Sequence, residues 1–214
     1  MDDKILLNAM SYIKDRFRDD HSGHDYYHSL RVFRLATLIC KEEAGDLETV
    51  QLAALLHDVD DYKLSGGSAV GSPKARAFLA ENSVLEKKAE VICDIIGSVS
   101  FKGTDTKIPK SIEGKIVQDA DRLDAIGAIG IARAFAYGGN RNRDIYDPDR
   151  HPRSQMNFEE YAKSDGTTIN HFYEKLLNLK DMMNTKTAKA MAEQRHRFME
   201  CYLDEFFAEW NGER

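Results

Sequence analysis

The sequence predicts an all-α fold, and three observations carry that reading. Apolar residues recur at helical spacing along nearly the whole chain, no segment alternates with the period of two that marks a strand, and only 4 prolines interrupt 214 residues. Ile5, Leu6, Ala9, Tyr12, Ile13 and Phe17 line one face of a first helix, which ends before Asp19. A second helix runs over about 24–43, with Leu35, Leu38 and Ile39 as apolar positions and Gly45 as its stop. Asp46 is placed to cap a third helix that closes near His57. Residues 60–72 form a glycine-rich loop, after which Ser72-Pro73 reads as the cap and first residue of the next helix. Helical pattern returns over 84–99, a polar loop covers 100–110, and a long apolar helix spans about 111–136. The segment 137–157 is the longest irregular stretch, of the kind that often serves as a functional lid. Two amphipathic helices, 167–183 and 186–210, complete the bundle.

At 42% apolar residues the chain can bury a sizeable core. Residues 1–214 read as a single domain without linker, repeat or low-complexity segment. A formal charge of -6 leaves no electrostatic footprint for a nucleic-acid polymer. Cys40, Cys93 and Cys201 lack CxxC spacing and read as small buried residues in a reducing compartment. The N-terminal stretch is acidic and unlike a signal peptide, and no apolar run is long enough to span a bilayer. The expected location is cytoplasmic. Oligomeric state is left open.

Three polar segments break otherwise apolar helices. The apolar run Leu52 to Leu56 ends in His57-Asp58, followed by Asp60 and Asp61, although negative charge at a helix C-terminus opposes the macrodipole. Upstream, His24, His28 and Arg31 recur at helical spacing on one face. Downstream, Asp119, Asp121 and Asp124 stand among Ile116, Val117, Ala120 and Leu123. Asp121 shares its face with Val117, Ala125 and Ala128 and is the one expected to be drawn into the core, but periodicity separates the three poorly. A competing reading pairs these acids with Arg122 or Arg133 as an ordinary ionic face. Two histidines and two carboxylates, without thiolate, suit one divalent ion of Mn, Ni, Co, Fe or Mg with open positions rather than structural zinc.

The pattern His28, then His57-Asp58, then Asp121 resembles the HD superfamily of metal-dependent phosphohydrolases. Its first histidine precedes Arg31-Val32, its doublet ends an apolar helix, and its last aspartate precedes Arg122-Leu123. Past Arg133, the segment His171 to Leu179 and the final helix are similar to a small bacterial HD hydrolase subgroup. The resemblance implies a single HD-domain helical bundle with metal ligands His28, His57, Asp58 and Asp121. The motif segments lie within 23–123, and the C-terminal helices over 158–210 complete core and pocket. No histidine occurs between His57 and His151, where binuclear members add ligands, so one ion is expected.

Around that ion, Asp61 and His24 are candidate proton-handling groups. Arg31, Lys63, Arg141, Arg143, His171 and Lys175 are candidate contacts for a phosphorylated substrate. Arg150 and Tyr146 share the long loop, where an aromatic ring and a guanidinium can stack a base. Phe172 and Leu176 are expected to face the core while His171 and Lys175 face the pocket. The expected function is phosphohydrolysis of a small nucleotide, either at the α-phosphorus with release of pyrophosphate or at the terminal phosphate. A non-catalytic nucleotide-binding module on the same fold is the alternative; an oxygenase is disfavoured by the missing histidines.

Overall fold

A computed structural model describes residues 3–18, 25–60, 71–99, 105–153, 159 and 166–214. Among them there is no strand, as the periodicity requires. The helices are α1 (Asp3–Arg16), α2 (Tyr26–Glu43), α3 (Leu47–Leu56), α4 (Pro73–Glu81), α5 (Glu86–Val99), α6 (Ile112–Asp124), α7 (Gly127–Asn140), α8 (Thr168–His171) and α9 (Lys186–Trp210). After α8 the chain stays helical to Met182 but changes winding, with a π-turn at Phe172–Leu176 and a 3₁₀ stretch at Leu177–Met182, and it is extended at Met183 before α9. No described helix is long and apolar enough to cross a membrane.

α3 is the axis of the core. Val50 and every residue from Leu52 to Leu56 are fully buried, because α1, α2, α5 and α6 surround it. Truncating any of its leucines to alanine would cost about 2–5 kcal/mol. Its start is set by Asp46, whose side chain accepts the Thr49 N–H at 2.9 Å, as predicted. α2 is started by Asp25, whose carboxylate accepts the His28 N–H at 2.7 Å. Its buried face is Val32, Ala36, Ile39 and Cys40, and Leu38 lies half outside that stripe. Of the cysteines, Cys40 and Cys93 are buried and Cys201 is exposed, contrary to expectation.

Two elements differ from the sequence reading in ways that shape the site. The helix predicted over 111–136 is two helices, α6 and α7. Gly127 adopts φ 75°, a left-handed conformation costly for side-chain-bearing residues, and a Cβ at Gly130 would lie 2.3 Å from the Ala125 carbonyl oxygen. The apolar run conceals this turn, since Ile126 and Ala128 continue the helical pattern across it. The second difference is at α4. Pro73 is its first residue, but Ser72 sits at φ 51° and does not cap with its hydroxyl. Buried Asp60 takes that role, accepting the backbone N–H groups of Lys74 at 3.2 Å and Ala75 at 3.1 Å.

Candidate metal centre

His57 occupies the C-cap of α3 with helical dihedrals, so the packed core fixes where its ring begins. Its Nδ1 lies 2.9 Å from the Ala54 carbonyl, which can only accept, so the neutral ring carries its proton on Nδ1 and aims the Nε2 lone pair inward. His28, in the first turn of α2, behaves alike. Its Nδ1 is 2.7 Å from Asp124 Oδ2, and its Nε2 faces His57 Nε2 at 3.2 Å.

The carboxylates close the group. His28 Nε2 is 3.3 Å from Asp58 Oδ2 and 3.5 Å from Asp121 Oδ1. His57 Nε2 is 3.3 Å from Asp58 Oδ1 and 3.8 Å from Asp121 Oδ1. Neighbouring ligands each about 2.1 Å from a divalent ion stand about 3.0–3.4 Å apart, which is close to this spacing. With the histidines neutral and the carboxylates ionised, the four residues direct only acceptors into the centre, and buried Asp58 Oδ2 has no hydrogen-bond partner among the described residues. Such an array calls for positive charge, and His28, His57 and Asp58 lie close enough to one another to hold a metal ion, with Asp121 reaching both histidines from α6.

Protons respond to the same field. Burial pushes the His57 pKa down, but the charges of Asp58 and Asp121 outweigh it and raise it to about 9. Burial would raise Asp58, yet His57 and His28 beside it hold its carboxyl well below the usual range.

The three aspartates of α6 have three different surroundings. Asp119 and Asp121 are two residues apart and so point to opposite sides of the helix. Asp119, fully buried, accepts the Asn184 N–H at 2.8 Å and the Thr185 N–H and hydroxyl at 2.7 and 2.8 Å, pinning the start of α9. Asp121 reaches the histidines although its side chain is 26% exposed, so it is not the aspartate drawn into the core. Asp124, three residues on and on the Asp121 side, is buried behind His28. Its carboxyl works against burial but is held well below the usual range by hydrogen bonds from His28 and Arg31 and by the charge of Arg133. Its role was legible only as one of three competing acids. The signal was that Asp121 and Asp124 repeat on α6 the three-residue spacing of His28 and Arg31 on α2.

Arg31 shares the His28 face as predicted, but its Nε and Nη2 grip Asp124 at 2.7 and 3.1 Å, so most of its fork is engaged. Lys175, in the π-turn, is lowered to about 8 by burial, partly offset by Asp121, which places its ammonium in the field of the centre. Phe172 and Leu176 of that turn are buried, and His171 is half-buried one turn before Lys175. Arg141 and Arg143 stand over the Tyr137 ring, 5.4 and 5.6 Å from its centroid, and Tyr137 acts electrostatically on Lys175. Tyr146 packs edge-on with Phe206, Phe207 and Trp210 and, together with Arg150, lines a pocket beside His151 and Tyr173. Arg150 pairs with Asp144 and Asp147. His24, Asp61 and Lys63 lie outside the described residues.

A model of the HD domain matches residues 25–126, the span that holds all four convergent side chains. The protein YpgQ of Bacillus subtilis (strain 168) is 42% identical over 191 residues, 88% of this chain and 85% of that one. Its crystal structure in complex with ADP superposes with a TM-score of 0.76 at 36% identity, covering 95% of this chain and 97% of that one. A Lactobacillus plantarum crystal structure gives a TM-score of 0.87 at 41% identity over 99% of both chains. An HD-superfamily hydrolase from Bacillus thuringiensis gives 0.77 at 42% identity, again over 99% of both. Identity at this level, sustained over whole chains, means that this protein belongs to the HD-domain superfamily and has the fold of its hydrolases.

Proposed function

We propose that the protein is a metal-dependent phosphohydrolase that cleaves a nucleoside triphosphate at the α-phosphorus, giving the monophosphate and pyrophosphate. The observation that carries the proposal is the approach of His28 and His57, whose Nε2 atoms lie 3.2 Å apart, to Asp58 and Asp121, each 3.3–3.8 Å from both rings, with the Lys175 ammonium in the field of Asp121. A nucleotide is the favoured substrate class because YpgQ, 42% identical, crystallised with ADP.

His28, His57, Asp58 and Asp121 would hold one ion of Mn, Fe, Co, Ni or Mg. Such an ion, when bound, supplies positive charge to a phosphoryl oxygen and acidifies water. The remaining chemistry belongs to the chain's own groups. Water oxygen bonds to the α-phosphorus, the bond from that phosphorus to the bridging oxygen breaks, and pyrophosphate leaves with that oxygen. Asp61 and His24, assigned from sequence, take the proton of the attacking water and return one to the leaving group. Lys175 neutralises charge that develops on the phosphates, aided by Lys63. Arg141 and Arg143, held against Tyr137, extend the cationic side toward the leaving pyrophosphate, and His171 lines the approach one turn from Lys175.

Turnover in ¹⁸O-water with Mn²⁺ tests the cleavage point. The label is expected in the nucleoside monophosphate, with pyrophosphate unlabelled. Label in orthophosphate with a diphosphate co-product would mean a terminal phosphatase. Nucleotide binding without release of either product would mean a binding module.

A further inference from the structure

We propose that Asp124 is the positioning residue of the metal centre, and that Arg31 and Arg133 act on the centre through Asp124 rather than on substrate. The proposal rests on His28 being a ligand.

Asp124 receives four N–H donors, about the full capacity of a carboxylate. Arg31 Nε reaches Oδ1 at 2.7 Å, while His28 Nδ1, Arg133 Nη1 and Arg31 Nη2 reach Oδ2 at 2.7, 2.9 and 3.1 Å. The residue is buried, so substrate has no access to it. The contacts tie three helices at one point. His28 and Arg31 come from α2, Asp124 ends α6, and Arg133 comes from α7. Arg133 follows Asp124 by nine residues, about 13 Å along an unbroken helix, so only the turn between α6 and α7 brings it back.

The two histidines therefore differ in what orients them. His57 is held by the backbone of its own helix through Ala54. His28 depends on a carboxylate 96 residues away. Fixing Nδ1 there fixes Nε2 toward His57, Asp58 and Asp121, and donation to a carboxylate makes the imidazole a stronger ligand. A buried carboxylate facing one neutral histidine would be poorly compensated, and the two guanidiniums supply the missing charge.

Mn²⁺ binding to the full chain, followed by electron paramagnetic resonance, tests this without relying on turnover. Arg31→Met and Asp124→Asn should each weaken Mn²⁺ binding tenfold to hundredfold. At saturating Mn²⁺, Arg31→Met should keep KM for the nucleotide within about twofold of the parent. Arg31→Lys, which keeps the charge but loses the fork, should fall between parent and Arg31→Met in Mn²⁺ affinity. If Asp124→Asn does not fold, the two Arg31 variants decide, because the Arg31 side chain is 28% exposed and its loss leaves Asp124 paired to Arg133. Unchanged Mn²⁺ affinity with raised KM in Arg31→Met would make Arg31 a substrate contact and overturn the proposal. His57→Ala separates the two levels. If it binds Mn²⁺ like the parent, the metal assignment itself is wrong. If it loses Mn²⁺ while the Arg31 and Asp124 variants do not, only the positioning role fails.

Discussion

Metal uptake by this protein should release close to one proton at neutral pH. The perturbation is the loading of apo protein with Mn²⁺ across a pH series. Burial favours neutral His57, but Asp58 and Asp121 outweigh it and hold its proton to about pH 9. A histidine binds metal only through a bare nitrogen, so below pH 9 the ion must displace that proton. At pH 7 the gap corresponds to about 2.7 kcal/mol, or roughly a hundredfold weaker binding than the unprotonated site would show. Affinity should therefore rise about tenfold per pH unit through the neutral range. The same group gives apo stability the opposite dependence. A pKa raised above 6.5 stabilises the folded apo protein below pH 6.5 by up to about 3 kcal/mol, and this is lost as pH rises through 9. Calorimetric titration in two buffers of different ionisation enthalpy counts the protons, and melting curves of apo and Mn²⁺-loaded protein follow stability. Metal affinity flat with pH, with no proton released, would refute the reasoning, since His57 would then be neutral despite two carboxylates beside it.

Lys175→Met should lower kcat/KM at pH 7 by at least tenfold, about 1.4 kcal/mol of barrier. Because burial lowers Lys175 to about 8, the parent should also lose activity as pH rises through 8, and the variant should lack that limb; the same limb in both would clear Lys175 of the role. Asp119→Asn should cost about 2–4 kcal/mol in urea unfolding, since it disturbs the bonds to Asn184 and Thr185, yet keep Mn²⁺ binding. Asp121→Asn should do the reverse, with stability near that of the parent and Mn²⁺ affinity lost. Gly130→Ala should destabilise by about 2–4 kcal/mol because its Cβ would strike the Ala125 carbonyl oxygen, whereas Gly139→Ala, with open space around it, should be neutral or slightly stabilising in the same urea titration.

What the sequence made legible is what local periodicity and composition encode. The helices, the Asp46 cap, the buried α3 and the pairing of Phe172 and Leu176 with the core all follow from residue spacing. The polar breaks at His28, His57-Asp58 and Asp121 stood out because nothing in helix packing accounts for them, and the fold brings these four together. The rest depends on long-range geometry. The α6–α7 turn is hidden by apolar residues that continue the pattern on both sides, and its cause is a left-handed glycine. Which of three aspartates faces the histidines is decided by how α6 docks on α2 and α9, so burial alone pointed the wrong way for Asp121. Asp60 replaces Ser72 as the α4 cap across 14 residues that local motif reading does not span. Arg31 looks like a free phosphate clamp until its partner on another helix is in place.

The unequal anchoring of the two histidines also bears on the order in which the molecule assembles. The Ala54–His57 bond spans three residues and forms as soon as α3 winds, whereas the His28–Asp124 bond spans 96 and closes only when α2 meets α6. Half of the centre is thus low in contact order and half is high, and an ion bound by both halves stabilises only the closed chain. At a hundredfold excess over its dissociation constant, metal would add about 2.7 kcal/mol to that closure. Amide exchange should then divide the same way. The central turns of α3 would exchange slowly with or without metal, and the first turn of α2 would become slow only when metal is present. The ion in such a protein is a fastener drawn tight last, after the helices it joins already exist.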